Sequence, residues 1–518
     1  MEGYVLYGGN VITIDASKPV ARAVVIEADR ISYVGSDREA FARAPKNAKL
    51  IDLRGKTLIP GFNDNHIHTL AMGEFFSLPR LHGLNGPGII EFLKAAFSDV
   101  KPGKLLFALG WDYTSCPEPH RSLLDVAFPQ NPLVLIQFSG HGMWLNSAAL
   151  KLFGINGETP DPVGGTILRD KSGEPTGILR DAATRPIHRV RYRRMHSKRG
   201  HSGHLLDRAL ENLREAGITS VQDNTWYPVT LGLLKSYRKS GLLTCRFTCW
   251  FLGMQPIRSR LMQIQPVDGI WISRGPWKYF LDGTFTTKTA YLIEPYSNDG
   301  GNFGMRDPVF GSLETLLIHA SRKRRQLAFH AIGDRAVHEF LDSFGRARQK
   351  APHISDLRIR LEHAQLIHPD DIPRIRDLGI IISAQPSALG TPEKDAALLG
   401  EERAEAAYPY RSLLNSGVHL CFGSDMPGES SFDPILGISR AVNRSGRESI
   451  TALEALTCYT LGSAYAEFKE MQKGSITPGK LADLAVLTED PLTVHPAKIK
   501  DIRVQMTIVG GRIVYAAE

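Results

Sequence analysis

Two histidines one residue apart, His66 and His68, close the stretch Pro60-Gly-Phe-Asn-Asp-Asn-His-Ile-His68. On a strand, side chains at i and i+2 share a face, so both imidazoles would project side by side at one strand end. That spacing suits a paired metal ligand. Neutral imidazole binds zinc and also iron, nickel or copper, so the pair does not choose the metal. Further along, Lys278, His330, His363 and Asp425 each stand at or near the end of a run that reads as a strand. Each has an ordinary structural alternative. A strand-end histidine can be a hydrogen-bonded core residue, and Asp425 in Gly423-Ser424-Asp425 can cap a loop or helix. Glu362-His363 can form an edge pair, and Lys278 between Trp277 and Tyr279 can snorkel to solvent. A metal centre is the one reading that accounts for all six together.

The elements that would position them form a regular pattern. Strand-like runs cover 57–68, 218–223, 244–251, 277–282, 327–331, 358–363, 379–385 and 418–425, with helical stretches at 205–216, 313–323, 335–348, 369–378 and 451–466. Eight strands alternating with helices predict a parallel (β/α)8 barrel, whose chemistry sits at the C-terminal strand ends. Residues 1–58 and 471–518 instead alternate short apolar runs with turns, which predicts one β-sandwich built from both termini. The catalytic barrel is then expected over 59–72 and 203–470. About 150 residues separate the first two barrel strands, far more than one helix needs. An α/β insertion over 73–202, with strand-like runs at 105–109 and 133–138, is expected to cover the active face.

Composition excludes several classes. With 42% hydrophobic and 22% charged residues the chain reads as globular. It holds no apolar run near the ~18 residues that span a bilayer and no basic-then-apolar leader at its start, so the expectation is cytoplasmic, without a membrane. Five cysteines (Cys116, Cys245, Cys249, Cys421 and Cys458) form no Cys-x-x-Cys, which fits a reducing compartment. Cys245 and Cys249 read as packing residues. The net charge of +8 raises nucleic acid as a partner. Its clusters at 185–199 and 322–325 lack the interleaved aromatics of a base-stacking surface, however, and read as solvated helix faces and connections.

Several motifs carry a family resemblance. Pro60 to His68, Lys278 with Asp282-Gly283, His330-Ala-Ile-Gly-Asp-Arg-Ala336, Leu361-Glu-His-Ala-Gln365 and Gly423-Ser-Asp-Met-Pro427 together resemble the amidohydrolase superfamily. More narrowly they look like its YtcJ-like branch, which includes N-substituted formamide deformylases. Within the insertion, Gly110-Trp111-Asp112, Leu124-Asp125, His141, Asn146 to Leu150, Gly164-Gly165 and Gly173 to Leu179 look like that branch's segments, so the resemblance spans nearly the whole chain. Asn63 and Asn65 depart from it, standing where Ile or Val and Ser are usual.

The resemblance implies two metals, usually zinc, bridged by a carbamylated Lys278. His66, His68 and Asp425 would serve the more buried metal, and His330 and His363 the more exposed one. An unmodified lysine with one metal stays open. Metal coordination lowers the pKa of water from ~15.7 towards ~7, which makes hydroxide available at neutral pH. Asp425 would take the proton and deliver it to a leaving amine. The expected reaction is hydrolysis of a non-peptide amide bond in a small N-acyl or N-formyl compound. A cyclic-amide hydrolase or a deaminase on the same scaffold is the alternative, and a non-catalytic basic regulatory protein a third. Lys278 argues against the deaminase, since that branch usually works with one metal and no strand-four lysine. Trp111, His141, Trp226, Thr284 and Gln385 are the candidate substrate contacts, and Asp334 the candidate N-cap of the helix after His330. A homodimer is expected by analogy only.

Overall fold

The computed structural model describes residues 3–137, 142–162, 165–197, 199–224, 228–253, 269–307, 312–429 and 431–517. The chain divides into two compact units, residues 1–69 with 209–518 and residues 70–208.

In the first unit, eight strands run parallel in sequential order. They are β1 (Phe62–Ile67), β2 (Ile218–Asp223), β3 (Arg246–Leu252), β4 (Ile272–Phe280), β5 (Leu327–Ala331), β6 (Arg360–His363), β7 (Ile381–Ala384) and β8 (Leu420–Phe422). Backbone bonds carry the sheet round from β8 to β1. Asp425 N–H donates to His66 O at 2.6 Å and His68 N–H to Met426 O at 3.0 Å. The Ser424 N–H reaches Asp64 Oδ1 at 2.9 Å. The expected (β/α)8 barrel is therefore present, and its seam runs through the His66, His68 and Asp425 segments. Helices such as Leu313–Arg322, Asp334–Lys350 and Asp371–Leu378 follow the strands. The longest of these three, Asp334–Lys350, buries Val337, Phe340, Leu341 and Phe344 at the i, i+3, i+4 and i+7 spacing of a core-facing stripe.

β1 reads as polar, Phe62-Asn-Asp-Asn-His-Ile, yet every residue is buried. Buried polar groups persist only with partners. Asn63 Nδ2 donates to Glu467 Oε1 at 2.7 Å, Asn65 Oδ1 accepts from Ser383 Oγ at 3.1 Å, and Asp64 holds the Ser424 and His66 amides. The two asparagines that depart from the family motif are thus tied into the barrel interior.

The expected single strand over 57–68 is two strands in different sheets. Thr57–Pro60 pairs antiparallel with Leu484–Leu487, whereas β1 pairs with β2. The chain passes between them at Gly61, where a Cβ would stand 2.2 Å from the Thr219 side chain. The six-stranded sheet that holds Thr57–Pro60 also contains Asn10–Ile12, Val504–Val509 and Arg512–Ala516, so both chain ends build it. A four-stranded sheet of Tyr4–Tyr7, Ala23–Glu27, Arg30–Gly35 and Lys49–Asp52 packs on it through Leu6, Val24, Ile26, Leu58, Leu484, Val486 and Ile508. Arg246 on β3 reaches Asp483 with two bonds, 2.6 and 2.9 Å. This bidentate pair is nearly sealed from water, the geometry in which a buried ion pair is well satisfied.

The second unit carries a five-stranded sheet in which Leu106–Trp111 and Leu133–Gln137 run parallel and Gly142–Leu145, Gly165–Arg169 and Pro175–Asp181 add antiparallel. Its basic helix Arg185–Ser197 departs from the expected solvated face at Arg191 and at Arg194, whose Nη1–H donates to Leu105 O at 3.0 Å. Arg191 Nε sits 2.6 Å from Glu74 Oε2, both side chains almost buried. Among the described residues, no helix is long and apolar enough to cross a membrane. All five cysteines are buried, and among the described residues none forms a disulfide.

Candidate metal centre

The barrel register brings four strand ends together. His330 lies beside Glu362 and Phe280 in the sheet, and His363 beside Ala331. Ring centroids of His330 and His363 are 4.4 Å apart, those of His66 and His363 5.2 Å, and those of His66 and His68 5.9 Å. Asp425 Oδ1 stands 3.4 Å from His66 Nε2 and 3.2 Å from His68 Nε2. One atom each from His66, His363 and Asp425 lies within 4.8 Å of the others, a grouping that could hold a cation. The side chain of His68 is 24% exposed, against 2% for His66 and 10% for His330. Exposure alone therefore does not sort the ligands into the buried and exposed sets that the resemblance implies.

Each of three imidazoles spends one nitrogen on a hydrogen bond and keeps the other for the centre. His66 Nδ1 meets Glu362 Oε2 at 2.6 Å, His363 Nδ1 meets Gln385 Oε1 at 2.7 Å, and His330 Nε2 meets Gly283 O at 2.9 Å. Such outer bonds fix the tautomer and ring orientation that a metal ligand needs. Burial, reinforced by the Lys278 charge, holds His66 and His330 below the usual imidazole range, His330 at about 4. Burial and the facing His330 push His363 well below that range too. All three are thus neutral and able to donate a lone pair.

Lys278 is the least satisfied group in the centre. Its side chain is 1% exposed and its Nζ has no hydrogen-bond partner among the described residues. Burial lowers it to about 8 despite Glu362 and Asp425 nearby. Burial opposes the Asp425 charge, but the two imidazoles that face its carboxylate, His66 and His68, the latter through a hydrogen bond, hold it well below the usual carboxylate range. A half-buried carboxylate, neutral imidazoles and a buried amine form a donor set that fits divalent cations, with the lysine either displaced from charge or converted to an anion. The backbone is strained at the same place. His363, Ala364 and Asp425 have φ of 74°, 43° and 52°, left-handed values that cost non-glycine residues about 1–3 kcal/mol each and collect at working sites.

The sequence profile of the Amidohydrolase family matches residues 49–515. The chain belongs to that family. As an amidohydrolase it is a hydrolase acting on carbon–nitrogen bonds. It is 31% identical over 99% of its length to the N-substituted formamide deformylase of Arthrobacter pascens, covering 98% of that protein. It is 30% identical to the putative amidohydrolase YtcJ of Bacillus subtilis, covering 98% of each chain. Among solved structures it is similar to an uncharacterised metal-dependent hydrolase of Pyrococcus furiosus, with TM-score 0.80 and 27% identity, over 95% of this chain and all of that one.

The candidate substrate contacts of this amidohydrolase fare unevenly. His141 and Trp226 lie outside the described residues. Gln385 is 2% exposed, with its Oε1 on His363 and its Nε2 donating to Ser383 O, so both ends of its amide are committed within the barrel. Thr284 is half-buried just past β4, linked to the hydroxyls of Thr286 and Thr287. Trp111 is fully buried, packs edge-on to Tyr113 and Trp144, and donates Nε1–H to Leu135 O at 2.9 Å. It is core, not a pocket wall. Trp111→Ala is accordingly expected to cost about 3–5 kcal/mol of stability in urea unfolding, with KM unchanged. A raised KM at unchanged stability would restore it to the pocket. Asp334 is the first residue of its helix rather than the cap, and it accepts the Ile293 and Arg335 amides at 2.9 Å each.

Sequence reasoning missed the groups behind the candidate ligands. Arg360, fully buried, donates Nε–H to Glu362 Oε1 at 2.8 Å and Nη2–H to Asn65 O at 3.0 Å, and also reaches Gln222 and Ser383. Burial opposes the Glu362 charge, but Arg360 and His66 hold it well below the usual carboxylate range. Arg360 and Glu362 are two apart on one strand, so their shared face was a usable signal. Asp282 accepts the amides of Ile332, Gly333 and Tyr291 at 3.0, 2.8 and 3.0 Å, which fixes the loops around His330. Glu429, just beyond Asp425, is raised to about 8 by burial and then by Asp425.

Proposed function

We propose that this chain hydrolyses the amide bond of a small N-acyl or N-formyl compound, using two divalent cations, with zinc the first candidate. Lys278 carries the reading. A buried amine without a hydrogen-bond partner among the described residues, set among neutral imidazoles and an ionised carboxylate, is costly unless it becomes an anionic ligand such as a carbamate. His66, His68 and Asp425 would hold one cation, His330 and His363 the other, and a carbamylated Lys278 would bridge them.

Divalent cations bound there would supply Lewis acidity, lowering the pKa of water and polarising a carbonyl oxygen. The chain's own residues do the rest. Asp425 turns Oδ1 towards His66 and His68, which leaves Oδ2 to take a proton from the attacking water and return it to the departing nitrogen. The left-handed backbone at Asp425 fixes that carboxylate relative to β1 through the bond from its own amide to His66 O. Glu362, Gln385 and Gly283 keep the three imidazoles from turning as charge develops.

The test is a panel of N-formyl, N-acetyl and aromatic N-acyl amines and cyclic imides, incubated with zinc-loaded protein and with protein stripped by a chelator. The expected result is release of amine from linear N-formyl or N-acyl compounds by loaded protein only. Turnover confined to cyclic imides would move the assignment to a cyclic-amide hydrolase. Equal turnover after stripping would overturn the metal reading.

A further inference from the structure

The three imidazoles hand their second nitrogen to three chemically different acceptors. His66 faces a carboxylate, Glu362 Oε2 at 2.6 Å. His363 faces the neutral amide of Gln385 at 2.7 Å, and His330 the backbone carbonyl of Gly283 at 2.9 Å. An anionic acceptor draws the N–H proton towards itself and makes the opposite nitrogen a stronger donor, whereas a neutral acceptor orients the ring with less gain in basicity. Glu362 is completely buried, so water does not screen its charge. Its Oε1 accepts from Arg360 Nε at 2.8 Å, and its Oε2, the oxygen that meets His66, also accepts from Ser383 Oγ and, at 3.3 Å, from Arg360 Nη2.

Resting on the two-cation reading above, we propose that the centre is graded. The position served by His66 binds its cation tightly, the position served by His330 and His363 exchanges its cation readily, and Glu362 set against Gln385 and Gly283 makes the difference. Glu362 and Gln385 are on this view positioning residues that tune affinity through His66 and His363. The consequence is a stable half-loaded form at low free metal.

The experiment equilibrates the full chain against a series of buffered free zinc concentrations and counts zinc per chain by mass spectrometry, with the melting temperature of the metal-free protein recorded beside it. Wild type is expected to fill in two steps separated by about 10–100-fold in free zinc. Glu362→Gln keeps an acceptor for His66 but removes the charge, and should weaken the tight step by about 10–100-fold, drawing the two together. Gln385→Glu places a carboxylate behind His363 and should tighten the weaker step. This gain is one that structural damage cannot produce, so it decides the matter even if Glu362→Gln fails to fold beside Arg360. A single step filling both positions in wild type, or a weaker step unmoved in Gln385→Glu, overturns the grading and leaves the two-cation reading intact. No zinc at any concentration overturns both.

Discussion

Asp425→Asn should lower kcat by about 10²–10⁴-fold, the range for losing a positioned proton-transfer group. The amide has the same shape and keeps an oxygen towards His66 and His68, which stand 3.4 and 3.2 Å from the native carboxylate. It cannot take a proton from water at neutral pH. The variant therefore separates shape from proton transfer, provided zinc per chain is counted in the same preparation. Near-normal zinc with turnover lost supports Asp425 as the shuttle. Turnover retained within about tenfold at normal zinc content would remove it from that role.

The second large effect is expected at Lys278. Lys278→Ala should cut turnover by about 10²–10³-fold, the scale of removing one preorganised electrostatic partner from a water-poor site, and should lower zinc content as well. The substitution leaves a cavity beside His66, His330 and His363. If the native ligand is an anion carried by the lysine, then added formate, acetate or propionate can enter that cavity and supply a replacement carboxylate. Activity should rise with carboxylate concentration in Lys278→Ala and stay flat in wild type. A variant that keeps both zincs and full activity without added carboxylate would show that the lysine bridges nothing.

Much of this centre was legible in the sequence because histidine, lysine and aspartate are uncommon at the ends of buried strands, and eight such strands alternate with helices. β2 and β5 were found with the bounds they have, 218–223 and 327–331. β4 starts five residues earlier than its apolar run suggests, at Ile272, because Ser273-Arg274-Gly275 does not read as a strand. A Cβ at Gly275 would stand 2.5 Å from Trp250, so that glycine answers to a neighbour on another strand. β8 ends at Phe422, short of the expected Asp425, and at the next residue, Gly423, the chain runs so close to β1 that a Cβ would stand 2.5 Å from His66 N.

The groups that hold the ligands were harder to read for the same reason. His66 and Glu362 are 296 residues apart, and nothing near either one announces the pairing. Local pattern identifies a polar residue on a strand, but the barrel register decides whether it meets a substrate, a ligand or another charge. Gln385 was read as a substrate contact on its strand-end position alone, and that position equally serves His363. Trp111 shows the reverse error. A tryptophan in a motif-like segment drew a binding role, while its indole N–H was already committed to Leu135.

The central claim is that four imidazoles, a lysine and an aspartate at one barrel mouth hold divalent cations. Anomalous diffraction at the zinc edge from crystals grown with zinc tests it most directly. Two peaks should stand among His66, His68, His330, His363 and Asp425, with extra density joined to Lys278 Nζ between them. A map with no anomalous peak among these side chains at saturating zinc would contradict the claim.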